Sequence, residues 1–167
     1  MLRLPRPPVT AALAVAVAGC GAAPASTARD ADARRAIEHT VADYVNATNR
    51  GDVRALVELY AEDAILLPPE DTLVRGRDGI REFWSHGLEG GLSVEEVRLD
   101  VAGESAFLVA RYTLAATADE AADSGKCAMS FARQRDGSWK LTADIWNNDS
   151  GGADDSTDDA APLTPIT

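Results

Sequence analysis

Cysteine and histidine are scarce in this chain: its 167 residues contain two of each. Two cysteines cannot build a disulfide framework. His39 and His86 belong to no close His/Cys/Asp cluster, so neither a metal nor a cofactor is expected. Basic residues are also few, with 16 Lys and Arg against 27 Asp and Glu for a net charge of −11. That balance argues against nucleic acid and against a polybasic membrane contact. Long apolar runs are missing too. The stretch from Val9 to Ala18 holds about ten residues, where a membrane-spanning helix needs roughly 20. No glycine-rich loop leads into a helix to cradle phosphate, and no Gly-x-Ser-x-Gly elbow marks a hydrolase nucleophile.

What the N-terminus does contain is the layout of a secretion signal. Arg3 and Arg6 supply positive charge, the apolar stretch follows, and small residues precede Cys20. Val17-Ala18-Gly19-Cys20 resembles the lipobox of bacterial lipoproteins, in which the cysteine takes a diacylglycerol and becomes the new N-terminus. The resemblance implies a signal peptide over residues 1–19, lipidation at Cys20 and an extracytoplasmic, membrane-anchored protein. An ordinary cleaved signal with an incidental cysteine is the other reading. Lipid chains contribute about 0.8 kcal/mol per buried CH₂, and two or more hold stably. If Cys20 carries lipid, Cys127 is left without a partner for an intramolecular disulfide.

Composition divides the rest. Residues 20–29, rich in Ala, Pro, Ser and Gly, read as a flexible tether. Residues 149–167 are acidic, contain Gly and Pro, and read as a disordered tail. Its aspartates lack the glycine and distal glutamate of a calcium loop. Residues 30–148, about 120 in number, suit one domain with a single core.

Within that domain Asp30 and Asp32 mark a helix start, and Ile37, Val41, Tyr44, Val45 and Thr48 share one face up to a stop at Gly51. Asp52 caps a second helix carrying Val53, Leu56, Val57 and Tyr60. "AILLPP" is a short strand closed by prolines. Ile80, Phe83, Trp84 and Leu88 mark a third helix between Gly76 and Gly90. Strands follow at 92–101, 106–116, 126–135 and 139–147, with Asp136-Gly137 turning between the last two. Helices first and an antiparallel meander after make an α+β domain.

"ADYVNATNRGDVRALVELYAEDAILL", "GRDGIREFWSHGLEGG" and "DGSWKLTADIWN" together resemble the superfamily of ketosteroid isomerases, SnoaL-like cyclases and nuclear transport factor 2. The resemblance spans nearly all of residues 36–148. It implies a cone-shaped, curved antiparallel sheet wrapped around three helices, with a pocket in the mouth of the cone. Tyr44 matches the tyrosine that donates to a steroid oxygen in the isomerases, Tyr60 matches its supporting tyrosine, and Trp84 stands where a third tyrosine would be. The isomerase general base falls on Pro68 and its second acid near Ser130, so the steroid isomerase mechanism is not expected.

Alternation along the last strand puts Thr142, Asp144, Trp146 and Asn148 on one face and Leu141 and Ile145 on the other. The resemblance places Trp146 at a pocket-lining position, so Asp144 shares the pocket. There it acts as a general acid or base, or it is paired or solvated at the rim. Tyr44 touches a ligand or packs in the core with its hydroxyl satisfied. Cys127 reads as a small buried residue rather than a nucleophile. His86, about 200° round the helix from Trp84, faces away from it.

Three functions follow. One is a lipid-anchored protein holding a small, mostly apolar molecule in a pocket lined by Tyr44, Trp84, Tyr112, Asp144 and Trp146. The second is a SnoaL- or isomerase-type enzyme in which Asp144 moves a proton and Tyr44 steadies an oxyanion. The third is an assembly module, a homodimer paired through the sheet face that carries Val109, Met129, Phe131 and Ile145, if that face is the outer one; parity equally allows it to pack the helices.

Overall fold

A computed structural model describes residues 25–88, 90–116 and 121–149. The expected signal segment, Cys20 and the acidic tail beyond Asp149 lie outside them. The chain order is α1 (Ala25–Asn49), α2 (Val53–Val57), β1 (Tyr60–Leu67), β2 (Val74–Arg75), α3 (Gly76–Ser85), β3 (Leu92–Ala102), β4 (Ser105–Leu114), β5 (Asp123–Arg133) and β6 (Trp139–Asn148).

Helix α1 begins five residues before the aspartate start signal, inside the expected tether. Alanine-rich sequence free of Gly and Pro from Ala25 to Arg50 lets the helix extend backwards. Ile37, Thr40, Tyr44, Ala47 and Thr48 form its buried face. Gly51, at φ 66, ends it, and its N–H donates to the Thr48 carbonyl at 2.9 Å. Asp52 then caps α2 by accepting from the Ala55 N–H at 2.9 Å. This second helix stops at Val57, and Tyr60 opens β1 instead of closing the helix. Asn49 locks the end of α1 to the start of β3: its amide donates to the Leu92 carbonyl at 2.9 Å and accepts the Leu92 N–H at 2.7 Å.

The six strands form one curved sheet in the order β2-β1-β6-β5-β4-β3. Pairing is antiparallel except between β1 and β6, which run parallel. The last described strand, β6, returns beside β1 on the side away from β2 and in the same direction, which gives that one parallel seam. Pro68 and Pro69 follow β1, and the two-residue β2, which the apolar pattern does not reveal, pairs back onto Ile65 and Leu66. Helix α3 ends at Ser85, earlier than the Gly90-Gly91 signal, because Gly87 already takes φ 151.

Two bulges decide which residues face the core. Along β6, Phe131 pairs with Leu141 and Ser130 with Ala143, leaving Thr142 as an extra residue. The extra residue shifts the alternation, so Trp139, Leu141 and Asp144 are all buried on the same side. Strict alternation puts Leu141 and Asp144 on opposite faces, and the bulge overrides it. Val97 is the corresponding extra residue of β3 and is exposed.

Met129 and Phe131 are core residues, each 2 % exposed. Of the two places open to the face grouping them with Val109 and Ile145, the outer one is therefore wrong for Met129 and Phe131, and the four do not share one face. Partners directly opposite in a sheet share a face, and Met129 lies opposite Leu108 and Asp144, both buried. The outer face instead carries Phe107, Val109, Ala128 and Ile145, of which Phe107 and Ile145 are each 45 % exposed.

Candidate functional site

Three elements bring one carboxylate and two phenols together. Asp144 points inward from β6 just past the bulge, Tyr44 comes from the middle of α1, and Tyr60 from the first residue of β1. The Tyr60 hydroxyl donates to Asp144 Oδ2 at 2.7 Å, and the Tyr44 hydroxyl donates to the same oxygen at 3.2 Å. All three residues are buried, and Asp144 Oδ1 has no hydrogen-bond partner. Burial raises the Asp144 pKa from 3.8 to about 6, while the donors Tyr60 and Tyr44 pull it part of the way back. Both phenols are held well above their usual range, chiefly by burial and then by the charge of Asp144. The two tyrosines thus remain protonated donors at neutral pH.

This triad lies against a cavity of about 510 Å³. The five residues expected to line a pocket, Tyr44, Trp84, Tyr112, Asp144 and Trp146, all border it. Trp84 from α3 stacks on Trp146 from β6, with ring centroids 5.7 Å apart and planes at 18°. Phe83 sets its edge against both indoles, at 5.0 and 6.2 Å. Trp84 Nε1 is buried without a hydrogen-bond partner. It takes no part in the hydroxyl pair at Asp144, consistent with an indole's inability to accept and relay a hydrogen bond.

Tyr112 contributes its ring to the cavity and its hydroxyl elsewhere, donating to Asn148 Oδ1 at 2.8 Å. Burial first, with Asp123 and Asp149 adding, pushes that phenol up to about 12. The ring passes over Gly125 on the neighbouring strand. A Cβ at Gly125 would sit 2.6 Å from the Tyr112 ring and 2.2 Å from the Asn147 carbonyl oxygen, so only glycine fits.

Cys127 and Met129 line the inner wall beside Trp146 and Asp144, their cross-strand partners. Burial and then the Asp144 charge push the Cys127 thiol up to about 12, which leaves it a packing group without nucleophilic character. The mouth is polar, formed by Asp71, His86 and Gly87. His86 was expected to face away from Trp84. As the C-cap of α3 it keeps helical φ and ψ and an exposed side chain, and it borders the cavity only at the rim. Neither Pro68 nor Ser130 lines it.

Sequence reasoning did not pick out Phe83, Leu92, Val94 or Leu114 as lining residues. Each is half-buried, and core packing and cavity lining leave the same apolar mark on a sequence. Among the described residues, no three His, Cys, Asp or Glu side chains cluster as metal ligands would, and no helix is long and apolar enough to cross a membrane.

A six-stranded curved sheet over three N-terminal helices, with an aromatic cavity between them, is an arrangement found in known proteins. The family model of the SnoaL-like domain matches residues 41–142. The chain belongs to the SnoaL-like domain family. Solved structures place this SnoaL-like domain among nuclear transport factor 2-like folds. A ketosteroid isomerase-like protein from Erwinia carotovora superimposes with a TM-score of 0.62 at 21 % identity, covering 70 % of this chain and 95 % of that one. A nuclear transport factor 2-like protein with a cystatin-like fold from Novosphingobium aromaticivorans gives 0.64 at 19 %, covering 77 % and 90 %. One of unknown function from Shewanella oneidensis gives 0.60 at 20 %, covering 68 % and 98 %. At these identities the likeness concerns the fold, and the chemistry must be argued from the cavity.

Proposed function

We propose that this SnoaL-like domain is held outside the membrane by a lipid on Cys20 and binds a small, mostly apolar molecule in the cavity between α1, α3 and the sheet. The observation that carries the reading is the cavity itself: about 510 Å³, walled by aromatic rings, with Asp144 as a buried polar anchor. Apolar walls supply affinity and a few convergent polar groups supply orientation, the usual division of labour in small-molecule sites. The Val17-Ala18-Gly19-Cys20 pattern supports the anchor.

Native mass spectrometry of the full chain tests the pocket, by comparison with a Trp146→Ala, Tyr44→Phe double variant. A small molecule carried by the wild type and absent from the variant supports the reading. An empty protein in both cases, flying as a tight dimer, counts against it and favours assembly. Loss of lipid labelling in Cys20→Ala checks the anchor.

Two other readings each have one favourable observation. An acid–base enzyme is favoured by Asp144, whose pKa of about 6 suits proton transfer near neutrality. Its oxyanion donor, Tyr44, has a single hydroxyl proton, which is already given to Asp144. Catalysis therefore requires that bond to break as substrate enters. An assembly module is favoured by Phe107 and Ile145, the exposed apolar side chains of the outer sheet face.

A further inference from the structure

The charges around the cavity narrow the kind of molecule it takes. Among the described residues bordering it, Asp144 lies deep in the wall and Asp71 and His86 stand at the mouth, while no lysine or arginine is present. A carboxylate seated deep in the cavity would thus lie beside Asp144 with no lysine or arginine to pair it. A hydrocarbon would cover Asp144 Oδ1 and leave that buried oxygen unpaired, as it now is. An N–H donor would pair it.

The anchor is also fixed in advance. Tyr44 and Tyr60 both donate to Oδ2, which leaves Oδ1 as the unused acceptor; that oxygen is almost fully enclosed, so a ligand's donor reaches it only as the cavity wall gives slightly. Trp84, Trp146 and Tyr44 border the same cavity as Asp144, and aromatic rings attract a cation within about 6 Å of their centroids. A net charge of −11 draws cations toward the protein from a distance.

We propose that the ligand is a protonated amine on an apolar, ring-sized skeleton, with its ammonium N–H donated to Asp144 Oδ1 and its skeleton packed against the Trp84–Trp146 stack. This rests on the pocket reading above and adds the charge of the occupant. An alcohol also offers a donor, but without the charge assistance that roughly doubles the strength of such a bond.

Three probes of one shape separate the possibilities: naphthylmethylamine, naphthylmethanol and naphthoate, titrated calorimetrically into the full chain in detergent at neutral pH, with detergent alone as blank. The amine is expected to bind about tenfold to hundredfold tighter than the alcohol, with naphthoate weakest. In folded Asp144→Asn, the amine's advantage over the alcohol should disappear. An alcohol that binds the wild type as tightly as the amine overturns the ammonium proposal while leaving the pocket in place. So does an amine preference that survives in Asp144→Asn, because general acidity or Asp71 would then account for it. If none of the three binds, the pocket reading fails and this inference fails with it. If Asp144→Asn does not fold, the same ranking in Asp71→Asn and at raised salt takes its place: an amine preference kept in both supports Asp144, and one lost in either overturns the proposal.

Discussion

Burying Asp144 costs stability that a single substitution can expose. Its carboxyl titrates at about 6 in the folded chain against 3.8 when solvated. At about 1.36 kcal/mol per pH unit, ionised Asp144 destabilises the folded state by about 3 kcal/mol at neutral pH. The folded-state pKa lies above the unfolded one, so between about 6 and 3.8 the folded chain holds the extra proton. Asp144 therefore makes stability rise as pH falls through that window, opposite to an ordinary salt-bridged aspartate. Asp144→Asn removes the charge and keeps an oxygen for Tyr44 and Tyr60, but places an unpaired amide N–H at the Oδ1 position, costing about 1 kcal/mol. The variant should then be about 2 kcal/mol more stable than wild type at neutral pH and about 0.5 kcal/mol less stable near pH 4. Urea melts of both proteins at a series of pH values, followed by tryptophan fluorescence, measure this difference. Other titrating groups are common to the two chains and cancel. A stability difference that stays constant from pH 7 to 4 would refute a buried carboxylate of raised pKa.

Three further outcomes can be checked. Tyr60→Phe removes the 2.7 Å donor to Oδ2, so Asp144 should titrate above 6 in that variant; an unchanged carboxyl-carbon NMR titration would show that the bond does not stabilise the charge. Gly125→Ala drives a Cβ to 2.2 Å from the Asn147 carbonyl oxygen and into the Tyr112 ring, and overpacking of this kind costs about 3 kcal/mol. A loss in urea stability below about 0.5 kcal/mol would mean that the two strands part freely at this point. Cys127, its thiol pushed up to about 12, should resist maleimide labelling in the folded protein and label rapidly in urea. Stoichiometric labelling of the native chain at neutral pH contradicts this account of its surroundings.

Much of the fold was legible because its signals are local. The Gly51 stop, the Asp52 cap, the Asp136-Gly137 turn and the four long strands each depend on residues a few positions apart, and the structure has them all. Helix ends were less legible. Alanine propensity carried α1 back to Ala25, and Tyr60 passed from the expected second helix into β1, because pairing with β6 outweighed a helix of one turn. The residues of the candidate site were recognisable by type and by resemblance, and all five border one cavity. What could not be read is how Asp144 is held. Its partners Tyr44 and Tyr60 are 100 and 84 residues away in sequence, and no local pattern encodes that meeting.

The sequence by itself determined the class of the domain, the order of its elements and the acidic character that argues against nucleic acid. Periodicity, caps, turns and net charge are sums over neighbouring residues, and they survive without a third dimension. Tertiary structure alone decided which face of each strand is inside. One extra residue at Thr142 reverses the alternation along β6, and strand register put Met129 and Phe131 in the core and Ile145 on the outer face. It also decided the chemistry of Asp144. A carboxyl group's pKa is set by the water it loses and the donors it gains, and both depend on chain segments that only folding brings together.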